Sequence, residues 1–371
     1  VTTIGEEAFK GCTKLEAFDV AAGNTAFAVD NAEKSLAHLQ ERILEPNLTQ
    51  EEFEAAIERL KDAYNSVEVS PTTKFSKVVM DNTPANFSAK DKLESLNNST
   101  LDDVKALYND TFANGQGHVV VAGPISSHPE LKDIVFNKLS AYSQVKPLDI
   151  EPEKLYKPID KTVVLTDVNK KNQANIILGY KFKDSSNIKD KAAINLLNEI
   201  LGGSPSSRLF MDLRETRNLA YSVYSDCFSS GDMGIFTMSI GTTTENQETG
   251  EQTFDNVKKS IDGFNENVQK ITTEKVTQEE LETAKKALKN NILNCVSSTR
   301  GKASIVFDSR YSPYGLDYMN KYYEALDSIT AEDIQAAAKY IFSGKPVYSL
   351  TATQATLDAN KEYLASLGEL A

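Results

Sequence analysis

Apolar and polar positions alternate with two different periods along this chain. Between Gln50 and Asn65 the apolar residues Phe53, Ile57 and Leu60 recur at helical spacing, so they share one face of an α-helix. Leu281, Ala284 and Leu288 do the same further on, and each pattern predicts a buried stripe. Thr162–Thr166, Ala174–Tyr180 and Gly234–Gly241 are instead rich in β-branched residues and bounded by polar turns, which predicts strands. Further helices are expected over Asn31–Leu44, Leu101–Phe112, Pro129–Tyr142, Lys189–Leu201 and Ser206–Arg217, with one more strand near His118.

Sliding the chain along itself reveals a duplication. The run Thr49 to Lys61 recurs as Thr277 to Lys289, and Thr100 to Tyr108 is paralleled by Thr330 to Ala338 at nearly the same offset. Val119 to Ala122 then matches the strand-like run Tyr348 to Thr351. The pairs Thr49/Glu52 and Thr277/Glu280 have the spacing of capping boxes, in which hydroxyl and carboxylate satisfy free backbone donors at a helix start. Thr100 and Thr330 are expected to be simpler N-caps. The second copy, from about Leu155 to Ala371, opens with strands and helices that the first copy lacks. The first copy is therefore expected to be a back half only, and its lone strand near His118 needs partners, because a small sheet is stable only with about three strands or more.

Composition narrows the function classes. The chain has 371 residues, 40% of them hydrophobic and 25% charged, and a formal net charge of −13, which suits a globular protein of two domains. No basic stripe is present for a polyanion, so nucleic acid is excluded as a partner. A generally solvated acidic surface is the plain reading of the charge, and an acidic cavity for basic peptides also fits it. No apolar run is long enough to cross a bilayer. The chain opens on Val1 rather than Met, so an upstream portion is expected. The three cysteines, Cys12, Cys227 and Cys295, are widely spaced and give neither a disulfide framework nor a CxxC pair. A three-histidine metal site would consume His38, His118 and His128, every imidazole in the chain, so no metal is expected here.

Three segments are delimited. Residues 1–30, with Val1 to Leu15 and Asn24 to Phe27 carrying the pattern, resemble one turn of the leucine-rich repeats of bacterial surface proteins, which stack because one turn cannot bury its own apolar face. Residues 31–150 form the partial first copy and 151–371 the complete second copy, with the linker Lys146 to Pro152 and its two prolines between them.

The run from Leu201 to Tyr224 contains, in order, Gly202-Gly203, Ser206-Ser207-Arg208-Leu209-Phe210, Leu213-Arg214 and Leu219-Ala220-Tyr221. It resembles the signature of the C-terminal domain of the pitrilysin/insulinase peptidases, and the likeness extends over roughly Asn31 to Leu370. The resemblance implies an α+β fold: a duplicated antiparallel sheet with helices on one face, of the kind found in processing peptidases, the first copy here being incomplete. It also implies a peptide chamber between two such domains, with zinc held in the other domain by an inverted His-x-x-Glu-His motif. The nearest string here is His38-Leu-Gln-Glu41-Arg42, in which Arg stands for the second His and has no lone pair to give a cation. His38 is read as a surface helix residue.

By the same resemblance, Arg214 and Tyr221 contact the substrate backbone near the scissile carbonyl, where both can donate to a developing oxyanion. The plain alternative is an Arg214 paired with Asp212 or Glu215 and a Tyr221 packed at a helix end. Gly202 and Gly203 are expected to allow a sharp turn, and Ser206 or Ser207 to cap the helix that begins near Arg208.

These readings lead to a zinc-free, substrate-binding half of a metalloendopeptidase, inactive alone, that completes a peptide-binding chamber with a zinc-bearing domain or subunit, or by self-association. The second reading is a non-enzymatic cell-surface peptide-binding or adhesion protein, and the third a fragment of a longer, active metallopeptidase. The repeat-like N-terminus favours a bacterial periplasm or cell surface over the cytoplasm.

Overall fold

The structure is a computed structural model that describes residues 32–44, 46–68, 70–81, 83, 86–113, 120–122, 129–139, 154–246, 248–309, 312 and 314–371. The leucine-rich-repeat-like segment and His118 lie outside these residues. The helices are α1 (Ala32–Leu44), α2 (Gln50–Asn65), α3 (Pro71–Val79), α4 (Ala89–Asn98), α5 (Leu101–Tyr108), α6 (Glu130–Leu139), α7 (Ile188–Asn198), α8 (Asn256–Thr273), α9 (Gln278–Ser297), α10 (Thr299–Ser309), α11 (Tyr318–Ser328), α12 (Ala331–Phe342), α13 (Gln354–Ala359) and α14 (Lys361–Leu367). The strands are β1 (Val163–Val168), β2 (Gln173–Lys183), β3 (Ala220–Ser230), β4 (Met233–Thr243), β5 (Val347–Ala352) and β6 (Glu369–Leu370).

The chain divides into two compact units. The first comprises residues 1–63, 94–150 and 293–316. Its described part is helical: α1 packs on α6, and Lys138 pairs with Glu33 at 3.5 Å. Val120–Ala122, part of the predicted strand, are not in a strand. The helix predicted over Leu101–Phe112 is present, its last turn widened to π geometry over Asn109–Ala113.

The second unit, residues 64–93, 151–292 and 317–371, holds all six strands found among the described residues, in one sheet of order β3-β4-β2-β5-β1-β6. Successive strands from β3 through β4 and β2 to β5 pair antiparallel, whereas β1 runs parallel to both β5 and β6. The sheet is therefore mixed, where a purely antiparallel one was expected. The local pattern that identifies a strand carries no information on the direction of a partner about 180 positions away.

Side-chain alternation divides the sheet into two faces. Ile176, Leu178, Tyr180, Phe236, Met238 and Leu350 point into the main core, where they meet Leu196 and Leu197 of α7, Ile261 and Phe264 of α8 and Ile334 and Ile341 of α12. Phe342 closes this core edge-on against Tyr180 and Phe236, with ring centroids 5.0 and 5.3 Å away. The opposite face is partly covered as well. Helix α3, capped by Ser70 and begun by Pro71, lays Phe75 and Val79 on Leu165, Ile177, Met233, Ile235 and Val347. Ser349 Oγ donates to the Pro71 carbonyl at 2.7 Å, and Lys74 Nζ to the Thr166 carbonyl at 2.6 Å. Gly179 is required beneath this helix, since a Cβ there would lie 2.2 Å from the Phe75 ring. Helices on one face alone were expected, and α3 adds a second, smaller core.

The caps follow the sequence with one refinement. Thr277 and Glu280 form the full reciprocal box, and Thr49 accepts from the Glu52 amide at 3.3 Å. Thr100 and Thr330, expected as simple caps, are full boxes with Asp103 and Asp333, because an aspartate at the third helical position also reaches back to the cap amide.

Candidate substrate-gripping site

The signature run folds into a widened helix, a reversal and an edge strand. The chain is helical from Arg208 and takes π geometry over Phe210–Thr216, which anchors it through Leu213, fully buried. Gly263 of α8 makes room for this leucine, since a Cβ there would sit 2.2 Å from Leu213 Cδ2. The turn ends at Asn218, the one described non-glycine residue with positive φ (52°), a conformation that asparagine tolerates better than most residues. The Leu219 amide then bonds back to the Leu213 carbonyl at 2.9 Å, and the chain returns alongside its own helix as β3.

That reversal brings together two of the predicted residues. The Arg214 guanidinium carbon lies 4.6 Å from the centroid of the Phe210 ring and 5.1 Å from that of Tyr221, so the cation is held between two aromatic faces. Tyr221 sits at the irregularity where Ala220 pairs with Thr242 and Ser222 with Gly241, the extra residue of a bulge. The bulge turns it out of the ladder, and it is 86% exposed. It does not pack at a helix end. Arg214 Nε is 3.4 Å from Glu215 Oε1, with the Arg214 side chain one-third exposed. Asp212, the other carboxylate considered for it, is occupied: it takes both arms of Arg217 at 2.9 and 3.0 Å and the Asn267 amide at 2.7 Å.

Phe210 and Asn218 shape this cluster, and neither is among the expected site residues. Phe210 stands four positions before Arg214, the spacing at which an aromatic and a cation meet on one helix face, and this was the available signal.

The loop residues are placed differently from expectation. Gly202 and Gly203 end a π-type turn over Glu199–Gly203, and neither has positive φ. Gly202 is needed for close approach, because a Cβ would lie 2.3 Å from the Ser225 amide nitrogen of β3. Ser206 Oγ lies 3.3 Å from Ser204 Oγ, and the buried Ser207 hydroxyl has no hydrogen-bond partner among the described residues, so neither side chain caps the helix, although the Ser207 carbonyl accepts the Met211 amide at 3.0 Å. Arg208 ties this loop to α9 by two bonds to Glu280, at 2.7 and 3.0 Å. Burial disfavours the charge on Glu280, yet the Arg208 guanidinium and the Thr277 donors outweigh it and hold the carboxyl below its ordinary value.

Zinc does not fit the residues described. His38 Nδ1 lies 3.5 Å from Glu41 Oε2 on an exposed face of α1, with Arg42 beside them. Among the described residues no group of three or more His, Cys, Asp or Glu could hold a metal ion, and no helix is long and apolar enough to cross a membrane.

Comparison with known proteins places these features. The chain is 30% identical over 213 residues to an uncharacterized zinc protease, YmxG, of Bacillus subtilis, covering 57% of this chain and 47% of that one. It is 26% identical over 270 residues to a non-peptidase homolog, YmxG, of Helicobacter pylori, covering 71% and 58%. It thus spans about half the length of the curated relatives it matches. A peptidase M16 inactive domain from Pseudomonas fluorescens superposes with a TM-score of 0.70 at 21% identity, over 88% of this chain and 76% of that one. The periplasmic protease PqqL from Escherichia coli does so with a TM-score of 0.60 at 13% identity, over 88% and 35%. The family model for the peptidase M16 inactive domain matches residues 98–288, just over half of the chain and including the whole helix-reversal-strand site, and the chain belongs to that family.

Proposed function

We propose that this chain is the substrate-binding, zinc-free half of a metalloendopeptidase. It contributes one wall of a peptide chamber, and a zinc-bearing domain or subunit contributes the other. The observation that carries this reading is the posture of Arg214 and Tyr221. A guanidinium stacked between two rings keeps its N–H groups in fixed directions, and an exposed phenol beside it adds a further donor. Donors preorganised in this way favour an oxygen that gains negative charge, such as a peptide carbonyl under attack. Beside Tyr221 on β3, Ser222 and Tyr224 line an open cavity of about 310 Å³ on the sheet face away from the main core, room for a stretch of extended peptide. Family membership, the sequence duplication and the Arg at position 42 in the only His-x-x-Glu-Arg string support the division of labour. A repeated ancestral domain supplies two copies, of which one keeps the metal and the other the grip. The periplasmic relative favours a periplasmic or surface location for this chain also.

The test is reconstitution. The purified chain is mixed with a homologous His-x-x-Glu-His-bearing subunit, and cleavage of a quenched fluorescent peptide is followed. Cleavage is expected from the mixture only, and Arg214→Ala is expected to lower kcat/KM by about a hundredfold, the size of effect seen when one oxyanion donor is removed. Zinc-dependent cleavage by the chain alone, or an Arg214→Ala mixture as active as the wild type, overturns the reading.

A further inference from the structure

The turn that carries Arg214 is closed by a cluster of polar side chains that the gripping residues do not touch. Arg217 and Asp212, five positions apart, are joined twice over. The Arg217 amide donates to the Asp212 carbonyl at 2.9 Å, the backbone bond of a π turn, and the Arg217 guanidinium forks onto both carboxylate oxygens of Asp212 at 2.9 and 3.0 Å. Asn267 of α8, 3% exposed, then ties that carboxylate to a second element. Its amide donates to Asp212 Oδ2 at 2.7 Å and to the Gly263 carbonyl at 2.9 Å. Glu266 accepts a further bond from Arg217 at 2.5 Å, from a half-exposed position.

What this cluster does follows from where Arg214 stands. It lies inside the loop that Asp212 and Arg217 close, and its side chain bonds none of the cluster: its partners are the Phe210 and Tyr221 rings and Glu215. The cluster therefore acts on it through the backbone. A π turn holds one residue more than an α turn and is rarely adopted, so bonds that tie its two ends together select it over the tighter helix. Closing it through side chains as well as backbone fixes the direction in which Arg214 leaves the chain. The same turn supplies the Leu213 carbonyl that accepts the Leu219 amide, two residues before Tyr221, so the start of β3 hangs from it as well. A lysine could not replace Arg217 here, because an ammonium is a point charge without the planar fork that spans both carboxylate oxygens.

We propose that Arg217 is a positioning residue for the grip: forked onto Asp212 and anchored to α8 through Asn267, it holds the widened turn and so aims Arg214 between its two rings. The inference rests on the substrate-gripping role proposed above and adds to it a residue that acts on the peptide only through Arg214.

Two readouts test it, one of posture and one of cleavage. In the full chain labelled with nitrogen-15, the side-chain Nε–H signal of Arg214 is identified by its loss in Arg214→Ala. It is expected upfield of the other arginine signals, because ring currents of Phe210 and Tyr221 shield a guanidinium lying over their faces. Arg217→Lys should return that signal toward the others, while Glu266→Gln should leave it in place, since the fork onto Asp212 survives. If Arg217→Lys does not fold, Asp212→Asn takes its place, because an amide cannot accept from both arms of the fork and from Asn267.

In the reconstituted cleavage assay, Arg217→Lys is expected to lower kcat by about tenfold with KM within about twofold, as for a displaced group that acts in the transition state. With Arg214 removed there is nothing left to aim, so Arg214→Ala/Arg217→Lys should cleave as slowly as Arg214→Ala and no slower. An Arg214 signal that keeps its shift in Arg217→Lys, or a double variant about tenfold slower than Arg214→Ala, overturns the positioning role and leaves the gripping role standing. A signal released by Arg217→Lys while Arg214→Ala cleaves like the wild type keeps the clamp on Arg214 and overturns the gripping role. If no mixture cleaves, the gripping role falls and the Arg214 signal alone decides whether Arg217 aims it.

Discussion

Helices α2 and α5 carry nearly the same words as α9 and α12, yet the two pairs live in different surroundings. Thr49 and Thr277 each accept from the amide three residues on, with the reciprocal bond at Thr277, and Thr100 and Thr330 form full boxes in both. In α9 and α12 the apolar stripe is sealed: Leu281, Ala284, Ile334, Ala338 and Ile341 are all buried. In α2 and α5 no residue is buried, and Leu60 and Leu107 are 41% and 66% exposed. The stripe that the sequence pattern assigned to α2 is therefore present but not sealed. A capping box needs only its own four residues, whereas a buried stripe needs a second layer. For α12 that layer includes the six-stranded sheet.

The comparison is broken most directly at matched positions. Ile334→Ala should cost about 2–5 kcal/mol because it empties a sealed site, while its counterpart Val104→Ala, at a position 36% exposed, should stay within about 0.5 kcal/mol. Urea unfolding followed by circular dichroism measures both, and equal losses would mean that α5 is sealed as α12 is. Next in size is Gly179→Ala on the sheet's second face. The intruding methyl should cost about 1–3 kcal/mol by displacing Phe75, and the penalty should shrink in a Phe75→Ala background, a non-additivity that a double-mutant cycle reads.

The caps should erase the difference. Thr100→Ala and Thr330→Ala are each expected to cost about 1 kcal/mol, similar in both, read as faster hydrogen exchange of the Val104 and Ile334 amides that bond to the two cap carbonyls. The smallest effect is pH-dependent and belongs to the box at the start of α9. Glu280 is depressed in the folded state, so its contribution is complete above the unfolded value near 4.5 and is lost as pH falls through the lower folded value. Glu280→Gln should flatten that part of the stability-against-pH profile, read by urea unfolding at a series of pH values.

The proximity of Arg214 and Tyr221 was legible for a local reason. Arg214 and Tyr221 are separated by a helical turn, a reversal and a bulge, all built within a dozen residues, so the chain itself brings them together. The four-residue spacing of Phe210 and Arg214 carries their contact in the same local way. Ser207 departs from expectation, because a serine ahead of a helix is a cap by residue type, and only the packing of the loop leaves its hydroxyl without a partner among the described residues.

The sequence by itself determined the capped helix starts at Thr49, Thr100, Thr277 and Thr330 and the short reversal that sets a cation beside a phenol. Each is settled by bonds between residues a few positions apart. The tertiary structure alone decided that β1 runs parallel to β5, that α3 covers the sheet's second face, and that α12 buries its apolar stripe while the similarly patterned α2 does not. Those outcomes depend on apolar surfaces that meet only after the chain has folded back over a hundred or more residues, and no local period records which surfaces will meet.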